Sequence, residues 1–327
     1  RQGERPSGRT VVWVLAGPRA LVFGIRCEDP EPSGIVTFTK ERDGDFEAED
    51  HVVVVLDPFQ DGRTGYVFAV SPGGARFDAL VEPGGEGVDP NWGGQWEAGT
   101  SRDGSGWTAE LRIPAEILSF PRGRGEWGLN VQRRVQRLQE TDRWSGWSRD
   151  YEVTQTSRAG ELAGLPAFDL GLGLSVRPAV TTGGGIPAPD ADVDGSFQPS
   201  VDVTQRLGSN LLGSLTVNTD FAETEVDARE TNLTRFPVYF PEKRTFFLEG
   251  SDIFEFGAGL DEESMVPFFS RRIGLVGDDE EEQTAVPINA GGKINGRLGN
   301  TNLGALVVNT RQVDSLEVES PSRVTLD

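Results

Sequence analysis

The sequence predicts an all-β chain in two parts, a β-sandwich followed by the first strands of an antiparallel barrel. Three observations carry this reading. The first half breaks into short apolar runs separated by Gly, Pro, Asp and Ser. The second half alternates apolar and polar residues with period two over longer runs. All seven Trp lie between Trp13 and Trp147, and none follows. The change of pattern falls near residues 160–169 and divides 1–165 from 166–327.

In the first part, strands are expected at Thr10–Ala16, Ala20–Glu28, Ile35–Lys40, His51–Asp57, Gly65–Ser71, Gln95–Thr100, Trp107–Ile113 and Trp127–Gln136. Only Ala115–Phe120 reads as a helical turn. Many short strands at this spacing mean a sandwich or barrel. Trp96, Trp107 and Trp127 sit in strands and are expected in the core, because Trp is highly buried on average. Cys27 lies in an apolar run and reads as a small buried hydrophobe. His51 opens a strand and reads as structural.

In the second part, Leu170, Leu172, Leu174 and Val176 alternate with Gly171, Gly173, Ser175 and Arg177. Phe197, Val201 and Val203 alternate with Asp202, Thr204 and Arg206, and Leu211, Leu215 and Val217 with Ser214, Thr216 and Asn218. Leu207-Gly208-Ser209-Asn210 is short enough for a tight hairpin. Ile288, Ala290 and Ile294 then alternate with Asn289, Lys293 and Asn295, and Leu303, Ala305 and Val307 return after Gly299-Asn300. Long period-two strands joined by tight turns fit a transmembrane barrel, whose closure satisfies the backbone in lipid. Residues 172, 174, 176, 211, 215 and 217 are expected to face lipid, and Ser175, Arg177, Ser214, Thr216 and Asn218 the lumen. Arginine is therefore expected to be tolerated at Thr216 and not at Leu215. A soluble antiparallel sheet also alternates, but its strands need only about five or six residues. Between the hairpins, Phe236 to Phe256 is rich in aromatics and broken by Pro237, Pro241 and Gly250. Those aromatics suit an interfacial girdle, or a loop or plug packed in the lumen.

The net charge of -21 argues against a nucleic-acid partner, because phosphate binding needs clustered Lys and Arg. The run Asp278 to Glu282 reads as a solvated loop, with a divalent cation as the lesser alternative. No apolar stretch is long enough for a transmembrane helix. Both ends read as cut, so the missing signal peptide is not taken as evidence for a cytoplasmic protein. With one His and one Cys, zinc and Ser-His-Asp or Cys-His chemistry are weakly supported. Glu110 and Glu116 could supply the two carboxylates of a glycosidase. Glu110 reads more simply as an outward partner to Arg112. No phosphate loop, nucleophile elbow or paired metal ligands are visible, so binding rather than catalysis is expected.

Two groups of motifs resemble known families. Val52 to Asp78, Gln95 to Thr100, Gly106 to Pro121 and Trp127 to Arg134 resemble family 9 carbohydrate-binding modules. LTVNTDFAETEVD (Leu215 to Asp227), FPEKRTFFLEG (Phe240 to Gly250) and FFSRRIG (Phe268 to Gly274) resemble an uncharacterised family of bacterial outer-membrane barrel proteins, which carry such a module before the barrel. The resemblance implies an outer-membrane location with a periplasmic sandwich, lipid around the barrel, and a glycan or oligosaccharide as ligand. It also implies that the barrel continues past Asp327. Hydrolase activity would follow only by analogy with enzymes that carry such modules.

Sugar binders of this kind stack aromatic rings on the sugar and orient it with a Glu and an Arg on adjacent strands. Here Phe46 or Glu47 falls at the first aromatic position, Val53 at the Glu and Ala69 at the Arg. Trp144 or Trp147, in DRWSGWSRD, matches the second aromatic. The carbohydrate-binding candidates are thus Trp144, Trp147 and Phe46. The metal candidates are Asp43, Asp45 and Asp50, whose loop could offer oxygen ligands to Ca²⁺ or be a solvated turn. Two other functional readings stay open. One is a secreted or periplasmic glycan-processing or lectin-like protein, the other a structural barrel accessory without a ligand.

Overall fold

The computed structural model describes residues 3, 5–82, 85, 87–121, 123–146, 148–185, 194–207, 211–219, 242, 244–248, 250–254, 268, 270–276, 284–298, 301–311 and 323–326. The chain divides into two compact units, Arg1–Gly171 and Leu172–Asp327. The division falls later than the expected 165/166. The reason is Phe168, whose ring packs against Phe120 and Trp127 with centroids 5.3 and 5.4 Å away. Leu165 and Leu170 pack on the same core.

The first unit is a sandwich of two antiparallel sheets. One contains β1 (Thr10–Ala16), β2 (Ala20–Glu28), β7 (Glu97–Asp103) and β8 (Gly106–Pro114), in the order β1-β2-β8-β7. The other contains β3 (His51–Asp57), β4 (Gly65–Val70), β5 (Arg76–Val81), β6 (Val88–Asp89), β9 (Glu126–Val135), β10 (Glu140–Arg143) and β11 (Gly160–Ala163). Its order is β10-β9-β3-β4-β5-β6, with β11 also pairing β9. Alternate residues of facing strands fill the space between. Phe23 and Ile25 from β2, Trp107 and Leu111 from β8, Val52 and Val54 from β3, Phe68 from β4 and Trp127 from β9 form one buried cluster with Trp96 and Cys27. Burial pushes the Cys27 thiol up to about 12, so it stays protonated and is no nucleophile.

The run HVVVVLD has no polar alternation because β3 is covered on both faces. Val53 and Val55 point away from the main core into a second cluster with Val67, Ala69, Ala79, Phe46 and Val153. The expected strand Ile35–Lys40 does not form. Glu49 accepts hydrogen bonds from the Phe38 and Thr39 amides, both 2.8 Å, and Asp50 from the Val36 amide at 2.9 Å. Two carboxylates thus stand where a neighbouring strand's carbonyls would, and the segment stays extended without a ladder. The helical turn is a single 3-10 turn at Ala115–Ile117.

The second unit is an antiparallel sheet of β12 (Leu174–Gly185), β13 (Asp194–Leu207), β14 (Leu211–Thr219), β17 (Ile288–Leu298), β18 (Thr301–Thr310) and β19 (Arg323–Leu326) in the order β12-β13-β14-β17-β18-β19. A two-stranded ladder, β15 (Leu275–Val276) with β16 (Thr284–Ala285), lies apart from it. The six-stranded sheet is open among the described residues, with β12 and β19 each paired on one side. The turn residues 208–210 and the acidic run 278–282 lie outside the described residues. No helix among the described residues is long and apolar enough to cross a membrane.

Candidate functional site

In the first unit, Phe46, Val53 and Ala69 close on one another. Phe46 is 7% exposed and packs with Val53, Ala69, Val55 and Val67. A pocket needs a few polar groups to orient a sugar, and this cluster contributes none. Phe46 is therefore a core residue over β3 and β4, where the sequence reading placed a ring for stacking on sugar. Sequence position alone could not distinguish a ring over a sugar from a ring over valines.

The three metal candidates do not converge either. Asp43 lies beside the Arg42 guanidinium, 3.3 Å away, and accepts a 3.4 Å hydrogen bond from the Asp78 amide. Asp45 accepts from the Glu47 amide at 2.8 Å, and Asp50 holds the Val36 amide. Among the described residues no group of three His, Cys, Asp or Glu side chains could hold a metal ion. These carboxylates hold local backbone amides, the turn alternative of the two readings for this loop. His51 is equally local, its Nδ1 lying 3.1 and 3.0 Å from the Phe46 and Glu49 carbonyl oxygens. Glu110 does face outward, but the carboxylate beside Arg112 is Glu97, 3.8 Å away, instead of Glu110.

Trp144 is 58% exposed. The ladder along β9 explains how it is held. β11 pairs with the first half of β9 as far as Leu129, and β10 with the second half from Gln132. Trp144 bridges the gap, its amide donating to the Val131 carbonyl at 2.9 Å. Buried Asn130 pins the next residue twice, donating from Nδ2 to the Ser145 carbonyl and accepting from the Ser145 amide, both at 3.1 Å. Gly160 backs the indole. A Cβ there would lie 2.5 Å from the ring, so only glycine lets the indole lie against the β11 backbone. Nearby, the Arg158 guanidinium stacks 4.3 Å from the centroid of the Tyr151 ring. Asn130 and Gly160 were missed from sequence. The one available signal was a polar Asn inside the apolar run Trp127-Gly128-Leu129-Asn130-Val131. Trp147 lies outside the described residues.

Beside this loop, Asp142 pairs in register with Arg133 on β9, and its Oδ2 is buried without a hydrogen-bond partner among the described residues. Burial, reinforced by Glu140, pushes its carboxyl up to about 6. The folded state therefore holds this proton more tightly than the unfolded state. The stability it contributes is present below about pH 4, where both states are protonated, and is lost as pH rises through about 6. Asp142→Asn keeps the neutral form at every pH. It is expected to melt above the parent protein at pH 8 and level with it at pH 4, as read by thermal melts across that range.

In the second unit, burial is inverted relative to a soluble sheet. Leu215 is 60% exposed, and Thr216 beside it is 1% exposed. Leu174, Val176, Val180, Phe197, Val217, Ile294, Leu303 and Val307 share the exposed face through the strand registers, while Ser214, Lys293 and Asn295 are buried on the other. Leu172, which precedes β12, is also exposed. The buried face is covered by chain from the aromatic segment. A helical turn α1 (Thr245–Leu248) places Phe246 and Phe247 in a cluster with Phe254, Ile288, Leu306 and Val308. Lys293 donates to the Phe246 carbonyl. Gly291 and Gly304 make room for the rings: a Cβ would lie 3.1 Å from Phe246 at the first and 2.9 Å from Phe254 at the second. The described aromatics thus pack against the polar face of the sheet and form no girdle.

One buried arginine locks this segment. Arg244 meets Glu242 through Nε at 2.9 Å and Nη2 at 2.8 Å, and donates to the Ile273 and Ser270 carbonyls at 2.8 and 2.9 Å. Its guanidinium lies 4.2 Å from the centroid of the Phe247 ring. The motifs FPEKRTFF and FFSRRIG, far apart in sequence, meet at this arginine.

The family described as a domain of unknown function, DUF5916, matches residues 196–310. No curated protein matches the chain. Among solved structures, the chain is similar to a protein from Bacteroides uniformis ATCC 8492 assigned to carbohydrate binding, at 14% identity and a TM-score of 0.39, over 48% of this chain and 78% of that one. It is also similar to a family 9 carbohydrate-binding module from Caldicellulosiruptor kristjanssonii. The glucose complex matches at 14% identity and a TM-score of 0.37, over 51% of this chain and 81% of that one. The cellotriose complex matches at 13% identity and a TM-score of 0.37, over 49% and 77%.

Proposed function

We propose that the second unit is an arc of a transmembrane β-barrel in a bacterial outer membrane, and that the first is a periplasmic glycan-binding sandwich carried by it. The role is anchoring and binding, without catalysis. The observation that carries the proposal is the inverted burial of the six-stranded sheet. Its apolar face is exposed over β12, β13, β14, β17 and β18, and its polar face is buried on β14 and β17. In water, so broad an apolar surface would drive association. In a bilayer, it is the face a barrel turns to lipid. The strand lengths fit as well: β14 has 9 residues, β18 has 10 and β17 has 11, against about 9–11 for a membrane-crossing strand. Semi-native electrophoresis tests this reading. A folded barrel in detergent migrates differently before and after boiling, and identical migration would sink it.

The glycan reading rests on Trp144, an exposed indole held flat by Gly160 and Asn130. Trp144→Ala is expected to weaken oligosaccharide binding by about 2 kcal/mol, the scale of losing an anchoring aromatic. Gly160→Ala should weaken it similarly by displacing the ring. Calorimetry against a glycan panel checks both. The Phe46 cluster favours a second reading, a sandwich that has lost its ligand and serves only as a structural accessory. Absence of binding across the panel would select it.

A further inference from the structure

We propose that the outer face of the four-stranded sheet in the first unit is a saccharide-binding trough for a neutral oligosaccharide, separate from the Trp144 platform. The proposal rests on the reading of this unit as a glycan binder.

The strand registers place Trp13 (β1), Gly24 (β2), Glu110 (β8) and Gly99 (β7) in one row across all four strands. Leu15, Val22, Arg112 and Glu97 form the next row on one side, and Val11, Arg26, Thr108 and Ser101 the next on the other. Trp13 is 57% exposed. The indole stands at one end of the row with a glycine as its neighbour, and a second glycine lies at the far end.

Packing explains neither glycine. A Cβ at Gly99 would meet nothing within 4 Å, and one at Gly24 would meet only the Trp13 side chain, at ordinary contact distance. Neither has a positive φ. Glycine inside a strand weakens it, and it often marks a place where a ligand or another backbone approaches closely. Together the two lower the floor of the row on either side of Glu110. Three interstrand spacings of about 4.8 Å make the row roughly 14 Å long, which suits a chain of sugars better than a single ring.

Charge selects the ligand class. Arg26 is held by Asp103 through 2.7 and 2.9 Å hydrogen bonds, and Arg112 lies 3.8 Å from Glu97. Glu110 has no hydrogen-bonding or ionic partner among the described residues, and it stands in the indole's row. A compensated surface with one available carboxylate repels anions and accepts hydrogen bonds from hydroxyls. An exposed indole offers the apolar face of a sugar ring a stacking partner. Together these features describe a site for a neutral saccharide chain.

The test is calorimetry on the full chain in detergent with four linear pentasaccharides, β-1,4-glucan, β-1,3-glucan, β-1,4-xylan and α-1,4-glucan. Trp13→Ala and Gly99→Val are each expected to weaken the best ligand at least tenfold. Gly99→Val fills open space on a strand with a β-branched residue, so its melting temperature should be unchanged or higher; a structural role would lower it. If either variant binds as tightly as the parent while Trp144→Ala loses binding, the trough is overturned and the glycan reading survives. If the parent binds none of the four, both fall. Binding that survives all three substitutions also overturns the trough.

Discussion

Leu215→Arg is expected to block assembly of the second unit into membranes. Leu215 lies mid-strand in β14 on the exposed apolar face, flanked in register by Val203 and Gly292. A charged side chain at the lipid midplane costs about 2–4 kcal/mol, a large share of a typical folding free energy. The control cannot be Thr216→Arg, although alternation alone suggested it would be tolerated. Thr216 is buried beneath the Phe246 segment, and its hydroxyl donates to the Asp202 carboxylate at 2.5 Å. Arginine there would clash and strand that carboxylate. Ser175 and Val176, adjacent on β12, provide a cleaner pair. Ser175 pairs with Thr204 on the polar face, and Val176 with Val203 on the apolar face. With Cys27 replaced, a water-soluble thiol reagent should modify Cys placed at 175 and spare Cys placed at 176 in protein reconstituted in bilayers. Equal labelling, with normal assembly of Leu215→Arg, would mean that the apolar face meets water or protein instead of lipid.

Arg244→Met should release the segment that covers the polar face of the same sheet. The substitution keeps most of the apolar stem but removes five donors. It leaves the Glu242 carboxylate, otherwise held by Arg244 and by a 2.7 Å bond from the Ser270 hydroxyl, without its cation. Breaking a buried pair by removing one partner costs about 3–5 kcal/mol. The double variant Glu242→Gln with Arg244→Met should recover part of that loss, since both charges of the pair are then removed. Limited proteolysis reads the outcome: cleavage near residues 244–254 and 270–273 should accelerate in the single variant and slow again in the double. Unchanged cleavage in Arg244→Met would show that the aromatic cluster alone holds the segment.

Much of the architecture was legible because period two reports directly which face a residue occupies. Thr10–Ala16, Ala20–Glu28 and His51–Asp57 form as expected from their apolar runs and bounding turns. Strands with weak patterns were not legible. Arg76–Val81 sets two charged residues among four apolar ones, Glu140–Arg143 is wholly polar, and the pairing of both depends on the strands beside them. Ile35–Lys40 has strand-like composition, but Glu49 and Asp50 supply its hydrogen bonds locally.

The sequence by itself determined which residues share a face: the alternation around Leu215 and Val217, and the confinement of every Trp to the first unit, follow from residue order alone. Tertiary structure decided what covers each face. Phe46 closes over Val53 and Ala69 instead of standing over a ligand, and Phe246 lies over Thr216 instead of facing lipid. Alternation is a local property of the backbone, whereas the partner of a buried face is brought in by long-range packing, as Arg244 is to Ser270 and Ile273. Periodicity records the first and carries no information about the second.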